Sequence, residues 1–274
     1  RAHMDQRPIG VFDSGSGGLT AVREIRSILP SENIIYFGDT SRVPYGGRSR
    51  EILLKYARQD VRFLRSFDIK AIVVACGTVS TTCLPQLQAE NDLPVLGVVE
   101  PACRRAVAVS KTRHVGLIAT AASVRSGTYE QIIHALDPDV TVTARACPLF
   151  VPLVENGRYE RGDVVIETVA REYLEPIRGS GIDTLILGCT HYPLLMDLIG
   201  EIMGPEVTLI DTGEEAAWEL KRTLKAKNLL SDCAQEGTTT LYASDQPEDF
   251  GSMAKHFLQE ELTSPVLQVN IDRY

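Results

Sequence analysis

Short apolar runs alternate along the chain with longer amphipathic stretches. The runs have the length of strands, and we predict strands at 9–12, 33–37, 71–75, 95–98, 114–119, 140–144, 184–187, 207–210, 239–242 and 266–269. The amphipathic stretches include helix-like segments at 19–29, 50–66, 123–135, 163–176 and 214–227. Alternation of this kind is typical of βα units and of a mostly parallel sheet.

Ten strands are many for a single sheet, and 274 residues suggest about two domains of ~150 residues each. We therefore predict two α/β domains that face each other across a central cleft. Two pairs of segments resemble each other: PIGVFDSGSGG with HVGLIATAASV, and AIVVACGT with TLILGCTH. The similarity is weak, so internal duplication into two pseudo-symmetric halves and chance likeness both stay open.

Charge and hydropathy restrict the partners of the protein. The net charge is -8 and the sequence has no basic run, which argues against a nucleic acid or an anionic membrane as partner. No apolar run approaches the ~20 residues that a membrane span requires, and no secretory apolar region is evident. We therefore expect a cytoplasmic protein.

The six cysteines show no C-x-x-C spacing and no paired histidines, so we expect no metal site. Reduced thiols are the rule in the cytosol. Free cysteine commonly packs as a small apolar residue. We assign four cysteines to packing: Cys83, Cys103, Cys147 and Cys233.

The other two cysteines, Cys76 and Cys189, each follow an apolar run and stand close to a threonine, in VACGT and GCTHYP. The edge just beyond the carboxyl ends of parallel strands is where open α/β folds bind ligands. If helices begin directly after these cysteines, their N-termini lower the thiol pKa and make a thiolate available near neutrality. Free amides and threonine hydroxyls there would bind a carboxylate.

Two such thiols on opposite sides of one small anion suit racemisation. One thiolate removes a proton from a chiral carbon, and the opposing thiol delivers a proton to the other face. This chemistry needs no cofactor. A single cysteine at a strand end is more often buried filling, but two in matched contexts favour the functional interpretation.

Further polar residues fall at the same predicted edge. Asp13 lies in the glycine-rich turn FDSGSGGLT, which lacks the third glycine of a dinucleotide fingerprint and the lysine of a P-loop. Asp13 could cap the next helix or handle a proton near Cys76. His191 could likewise handle a proton near Cys189. The segment YFGDTSRVPYGGRS, residues 36–49, is either a surface loop or a loop that closes over the substrate.

Taken together, GVFDSGSGGLT, YFGDTSRVPYG, VVACGTVS, PLVENG and GCTHYP resemble the cofactor-independent glutamate racemases. The motifs occur in family order and span nearly the whole chain. The resemblance implies interconversion of L- and D-glutamate for peptidoglycan, in a homodimer. It also implies a first domain formed by residues 4–98 plus 211–274 and a second formed by residues 99–210.

The resemblance assigns roles residue by residue. It makes Cys76 the base toward D-glutamate and Cys189 the base toward L-glutamate, with Asp13 and His191 assisting. Other positions that match residues contacting or flanking the substrate are Ser14, Pro44, Tyr45, Gly46, Gly77, Thr78, Thr120, Glu155 and Thr190.

One position departs from the family pattern, because the family usually has Asn where this chain has Gly77. The Asn amide would reach the substrate, whereas Gly77 offers only its backbone N–H. We expect a neighbouring side chain or an ordered water to replace the amide.

Three alternatives remain open at this stage. An aspartate or hydantoin racemase would share the two-thiol chemistry. A non-catalytic protein that binds a small anion would need no paired thiols. A thiol redox protein would need a C-x-x-C motif or two sulfurs near disulfide distance.

Overall fold

The computed structural model describes residues 5–231 and 234–274. The strands in this part of the chain are β1 (Ile9–Asp13), β2 (Ile34–Gly38), β3 (Ala71–Val74), β4 (Val95–Leu96), β5 (His114–Ala119), β6 (Thr141–Ala146), β7 (Thr184–Gly188), β8 (Thr208–Asp211), β9 (Thr239–Ala243) and β10 (Leu267–Gln268). Each overlaps one of the ten strands predicted from the sequence. The α/β class is therefore confirmed.

At least one helix connects each strand to the next. The helices are α1 (Leu19–Ile28), α2 (Arg50–Arg65), α3 (Gly77–Thr82), α4 (Leu84–Glu90), α5 (Val99–Val109), α6 (Ala121–Ser126), α7 (Thr128–Leu136), α8 (Phe150–Glu155), α9 (Val164–Arg178), α10 (Met196–Met203), α11 (Thr212–Ala226) and α12 (Pro247–Leu258). Short 3-10 turns lie at Thr40–Arg42, Tyr192–Leu195 and Ile271–Arg273.

The strands form two sheets, with the orders β10-β9-β2-β1-β3-β4 and β6-β5-β7-β8. All the strand pairs in the described chain are parallel. The first sheet draws on both ends of the chain and the second on its middle. The assignment of strands to sheets therefore fits the expected division at 98 and 210, whereas the domain boundaries themselves stay a prediction.

Polar side chains begin several of the helices. Ser49 accepts a hydrogen bond from the Ile52 N–H at the start of α2, and Asp163 accepts one from the Val165 N–H at the start of α9. Asp211 accepts from the Gly213 and Glu214 N–H groups before α11. Each side chain satisfies an amide that has no partner within the helix.

The apolar core is continuous between the two sheets. One cluster contains residues of β1, such as Val11, together with residues of β7, such as Leu187, and both are fully buried. Helix α1 packs against α11, which follows the second sheet. The strands β1, β2, β3 and β7 are buried on both faces, as parallel strands covered by helices on both sides are.

The structure corrects one predicted helix. The segment 123–135 is not one helix but parts of α6 and α7, which are separated at Gly127. Gly127 has a φ of 68°, in the left-handed region that ends a helix and that glycine adopts without steric strain. The amphipathic pattern continues across this break, so periodicity did not reveal it.

Three of the four cysteines assigned to packing are buried. Cys83 and Cys103 are fully buried, and Cys147 is 1% exposed. The fourth, Cys233, lies outside the described residues. Within residues 5–231 and 234–274, no helix has both the length and the apolar character needed to cross a membrane.

Candidate active site

The carboxyl ends of four strands from both sheets meet around one cavity. Asp13 ends β1, Cys76 follows β3, Thr120 follows β5 and Cys189 follows β7. The cavity has a volume of about 480 Å³. Its position agrees with the expectation that the ligand site of a parallel sheet lies beyond the carboxyl ends of its strands.

Every site residue predicted from the sequence lines this cavity. The set comprises Asp13, Ser14, Pro44, Tyr45, Gly46, Cys76, Gly77, Thr78, Thr120, Glu155, Cys189, Thr190 and His191. Residues from both sheets contribute to its wall. The structure therefore brings together segments that are far apart in the sequence.

The two thiols belong to different sheets and line the same cavity. Cys76 and Cys189 are 4% and 8% exposed, and both are free. The two sulfurs are close enough to interact electrostatically. Both thiols therefore face the space that a ligand in this cavity would occupy.

The expected lowering of the Cys76 pKa is wrong. Burial, and then the charge of Asp13, raise the pKa of this thiol well above its usual range, although the Val79 and Thr78 amides donate to the sulfur and oppose the shift. Helix α3 has only six residues, so its N-terminal dipole is too weak to reverse the effect of burial.

The expected helix after Cys189 is also different. A 3-10 turn, Tyr192–Leu195, comes first, and α10 begins only at Met196. Side chains rather than a helix N-terminus therefore surround this sulfur. His191 Nδ1 lies 3.9 Å from Cys189 Sγ and 3.2 Å from Thr190 Oγ1.

His191 connects Cys189 to an acidic residue. Its Nε2 lies 2.9 Å from Glu155 Oε1, and the ring is buried. Burial disfavours the charged ring, but hydrogen bonds to Cys189 and Glu155 outweigh it and raise the pKa of His191 to about 10. His191 can therefore hold a proton beside Cys189 at neutral pH.

Asp13 occupies the corresponding place beside Cys76. Its carboxylate accepts a hydrogen bond of 2.8 Å from the N–H of Gly18, the residue that precedes α1. Backbone carbonyls accept from the first amides of α1, so Asp13 steadies the glycine-rich turn and does not cap the helix. Asp13 is also 2% exposed and lines the cavity. Burial raises its pKa. A carboxyl with a raised pKa exchanges protons with a thiol more readily than an ordinary one.

The glycine-rich turn holds the two sides of the site together. A Cβ at Gly17 would lie 2.4 Å from Thr190 Oγ1 and 2.7 Å from the His191 ring. Thr20 Oγ1 also donates to the Thr190 carbonyl at 3.0 Å. Only glycine at position 17 lets this turn approach the segment that carries Cys189.

Sequence reasoning missed part of the cavity wall. Cys147 was assigned to packing alone, yet it also lines the cavity, and burial raises its pKa to about 12. It follows β6, so the strand-end rule that found Cys76 could have found it. The predicted strand ended at 144, which placed Cys147 too far from the edge. The other residues missed are Gly15, Val43, Gly47, Ala121, Pro148, Val151, Pro152 and Gly188.

The fold and the site together define an α/β protein with thiols from both sheets in a shared cavity. A family model described as Asp/Glu/Hydantoin racemase matches residues 22–220, and the chain belongs to this family. A glutamate racemase of Geobacter metallireducens is 45% identical over 269 residues, which cover 98% of each chain.

Solved structures agree with this assignment. The glutamate racemase isoform of Bacillus anthracis superimposes with a TM-score of 0.92 at 38% identity, over 98% of each chain. A glutamate racemase of Francisella tularensis, solved in complex with D-glutamate, gives a TM-score of 0.90 at 39% identity, over 99% of this chain and 100% of that one.

Proposed function

We propose that this protein is a glutamate racemase that interconverts L- and D-glutamate with two cysteines and no cofactor. The observation that carries the proposal is the placement of Cys76 and Cys189, from different sheets, on one cavity. Relatives that are 40 to 45% identical over nearly the whole chain, all glutamate racemases, support the choice of substrate.

The proposed reaction moves one proton off the α-carbon and another onto its opposite face. From D-glutamate, Cys76 passes its thiol proton to Asp13 and its sulfur then takes the α-proton. Cys189 delivers its thiol proton to the other face, and His191 replaces that proton. From L-glutamate, Cys189 acts as a thiolate beside protonated His191 and takes the α-proton. Cys76 delivers its thiol proton to the other face, and protonated Asp13 replaces that proton. The positive ammonium group of the substrate favours the thiolate that each step requires.

This mechanism sets a geometric requirement. A near-attack arrangement places each sulfur roughly 3 to 3.5 Å from the carbon, so the sulfurs should lie roughly 6 to 8 Å apart with substrate between them. The separation stays a prediction for a structure of the complex. A bonded pair of sulfurs there would exclude the two-base reaction.

The remaining wall offers groups suited to an amino acid with two carboxylates. Hydroxyl groups come from Ser14, Thr78, Thr120 and Thr190, and Thr78 Oγ1 lies 3.4 Å from Thr120 Oγ1. Backbone N–H groups of Tyr45, Gly46 and Gly77, which line the cavity, can donate to the carboxylates. Neutral donors of this kind hold an anion without adding a base near the α-carbon.

We further propose that the reaction supplies D-glutamate for peptidoglycan, in the cytoplasm and by a homodimer. The family supports the role in the cell wall. The location and the oligomeric state stay predictions, which fractionation and light scattering would test.

Circular dichroism tests the proposal. L-glutamate and D-glutamate, each incubated with the protein and no added cofactor, should both converge to zero ellipticity. Aspartate and a 5-substituted hydantoin serve as the comparison substrates. If aspartate or the hydantoin is racemised faster than glutamate, that compound is the better candidate substrate. If the ellipticity of none of the three compounds changes, a binding or redox protein is favoured.

A further inference from the structure

A buried polar cluster lies behind the cavity wall formed by Pro44, Tyr45 and Gly46. It consists of Asp39, Arg42, Tyr45 and Asp60, and we call it the Asp39–Asp60 cluster. Asp39 follows β2, and Asp60 lies on α2. Both aspartates are fully buried, and Tyr45 is 1% exposed.

The tyrosine hydroxyl lies between the two carboxyl groups. Tyr45 Oη is 2.7 Å from Asp60 Oδ2 and is also hydrogen-bonded to Asp39 Oδ2. Arg42 approaches both aspartates, with Nε at 2.7 Å from Asp39 Oδ2 and Nη2 at 3.3 Å from Asp60 Oδ1. Ser244, which follows β9, donates to Asp39 Oδ1 at 2.8 Å.

The contacts require one more proton than the tyrosine supplies. A tyrosine hydroxyl carries a single hydrogen, so it cannot donate to both carboxyl oxygens. Two ionised carboxylates beside one arginine would also leave a buried negative charge without a partner, which is costly. One carboxyl must therefore hold a proton and donate it to Tyr45 Oη.

The arrangement of donors indicates which carboxyl this is. Asp39 already accepts from Arg42 and Ser244 at close range, so its oxygens act as acceptors. Asp60 has a longer contact with Arg42 and, among the described residues, no serine partner. In agreement, burial and then the neighbouring Asp39 raise the pKa of Asp60 well above its usual range.

We propose that Asp60, in its protonated form, is a positioning residue that donates to Tyr45 Oη while Tyr45 donates to Asp39. This chain of hydrogen bonds fixes the backbone of the segment 44–46 at the cavity wall. Arg42 adds rigidity, because its guanidinium lies 4.0 Å from the centre of the Tyr56 ring. The inference rests on the proposed function, since a positioned wall matters for the substrate that the wall contacts.

Substitutions at Asp60 separate hydrogen bonding from charge. Asp60→Leu keeps the branched shape of the side chain, although it is bulkier, and removes the donor. We expect KM for glutamate to rise about tenfold, the effect of one lost hydrogen bond. Asp60→Asn keeps a donor for Tyr45 and an acceptor for Arg42, so it should rescue most of that loss. The change should fall mainly on KM, because Asp60 does not touch the reacting carbon.

Asp39→Asn is the matched variant. Arg42, Ser244 and Tyr45 all donate to Asp39, so the amide N–H of an Asn there would face another donor. KM should therefore rise, although the same Asp-to-Asn change at Asp60 is tolerated. If Asp60→Leu does not fold, the two Asn variants decide the matter alone. Equal KM values for Asp60→Asn and Asp39→Asn, or an unchanged KM in Asp60→Leu, would overturn the proposal.

A second measurement does not depend on activity. The charged and titratable groups that face Asp60 in the described chain are Asp39, Arg42 and Tyr45. A carboxyl with a raised folded pKa stabilises the fold below about pH 4 and loses that contribution as the pH rises toward the folded pKa. The Tm of the wild type should therefore fall relative to that of Asp60→Asn between pH 4 and 8. The opposite trend would overturn the assignment of the proton.

The two readouts separate the two proposals. If the wild type does not racemise glutamate, the proposed function fails, and the Tm comparison still decides where the proton lies. If the wild type is active and Asp60→Leu keeps its KM, the positioning role fails while the function stands.

Discussion

Gly77, which follows Cys76, packs directly against Gly188, which precedes Cys189. A Cβ at position 77 would lie 2.9 Å from the Gly188 carbonyl oxygen, closer than real Cβ contacts. A backbone group of the opposite sheet therefore occupies the space beside Gly77. We expected a side chain or a water to take the place of the missing Asn amide. The structure instead places the backbone of Gly188 there, so the two segments that carry Cys76 and Cys189 are in contact.

This contact predicts the effect of Gly77→Asn. The new side chain must push back the Gly188 backbone and with it Cys189. Overpacking costs about 1 to 3 kcal/mol, so kcat/KM should fall roughly 5- to 160-fold for both glutamate enantiomers. Gly77→Ala should share part of the loss, because the Cβ alone makes the clash.

Gly179→Asn is the control, since a Cβ there meets only ordinary contacts at 3.8 Å and beyond. It should leave both kinetic constants unchanged. A rise in kcat/KM of Gly77→Asn would show instead that the site lacks the family's amide and can accommodate it.

Cys76→Ser and Cys189→Ser should each abolish racemisation. A hydroxyl is a far poorer base than a thiolate, and loss of a general base reduces the rate by about 10² to 10⁴. Elimination from a β-substituted analogue needs only one base, so either variant could still catalyse it. Cys103→Ser, at a fully buried cysteine outside the cavity, is the control. Substantial racemisation by either of the first two variants refutes the assignment.

Glu155→Gln should make the D-to-L reaction more sensitive to alkali. Removing the carboxylate lowers the pKa of His191 from about 10, so the proton supply to Cys189 is lost at a lower pH. The alkaline limb of kcat/KM for D-glutamate should shift accordingly. Glu261→Gln, at an exposed glutamate, is the control. An unchanged alkaline limb would mean that His191 does not supply this proton.

The same pair of residues affects stability with a definite sign. The folded pKa of His191 is raised above its unfolded value of about 6.5, so the stabilisation is complete below that pH and is lost as the pH rises through about 10. The difference in Tm between the wild type and Glu155→Gln should decline over this window. A difference that grows with pH contradicts the assignment.

Lys70→Ala should destabilise the fold strongly. Lys70 Nζ lies 2.6 Å from Glu32 Oε2 with both side chains buried, and it also donates to the Asp5 and Leu229 carbonyls. Breaking a buried ion pair costs about 3 to 5 kcal/mol, because the remaining charge has no partner. Urea unfolding measures the loss.

Arg58→Ala is the control for Lys70→Ala, since it breaks the more exposed Arg58–Glu90 pair. Such pairs contribute about 0 to 1 kcal/mol. If Lys70→Ala and Arg58→Ala lower the free energy of unfolding equally, the buried pair stabilises the fold no more than the exposed pair does.

The sequence predicted which residues line the cavity, but it did not predict the pKa of Cys76. Cys76, Cys189 and Thr120 follow apolar runs, and the carboxyl ends of parallel strands are recognisable from such runs alone. The pKa of Cys76 depends on burial and on its distance from Asp13, which the order of residues does not reveal. The direction expected for this thiol was therefore wrong.

Contacts between distant segments were also out of reach. Nothing in the sequence near Asp60 sets it apart from the other polar residues of α2, because its partners Asp39 and Tyr45 come from a loop beyond the end of β2. The contact of Gly77 with Gly188 likewise depends on how closely the two sheets approach. Periodicity predicts elements and the faces they bury, but it does not predict such distances.

Solvent deuterium labelling tests the two-base reaction most directly. L-glutamate is incubated with the protein in D₂O, the reaction is stopped early, and the separated enantiomers are analysed by mass spectrometry. Because one thiol removes the α-proton and the other delivers a deuteron, the D-glutamate formed should carry one α-deuterium while the recovered L-glutamate stays unlabelled. Equal labelling of the recovered L-glutamate, or D-glutamate that retains its original proton, would contradict the two-thiol account.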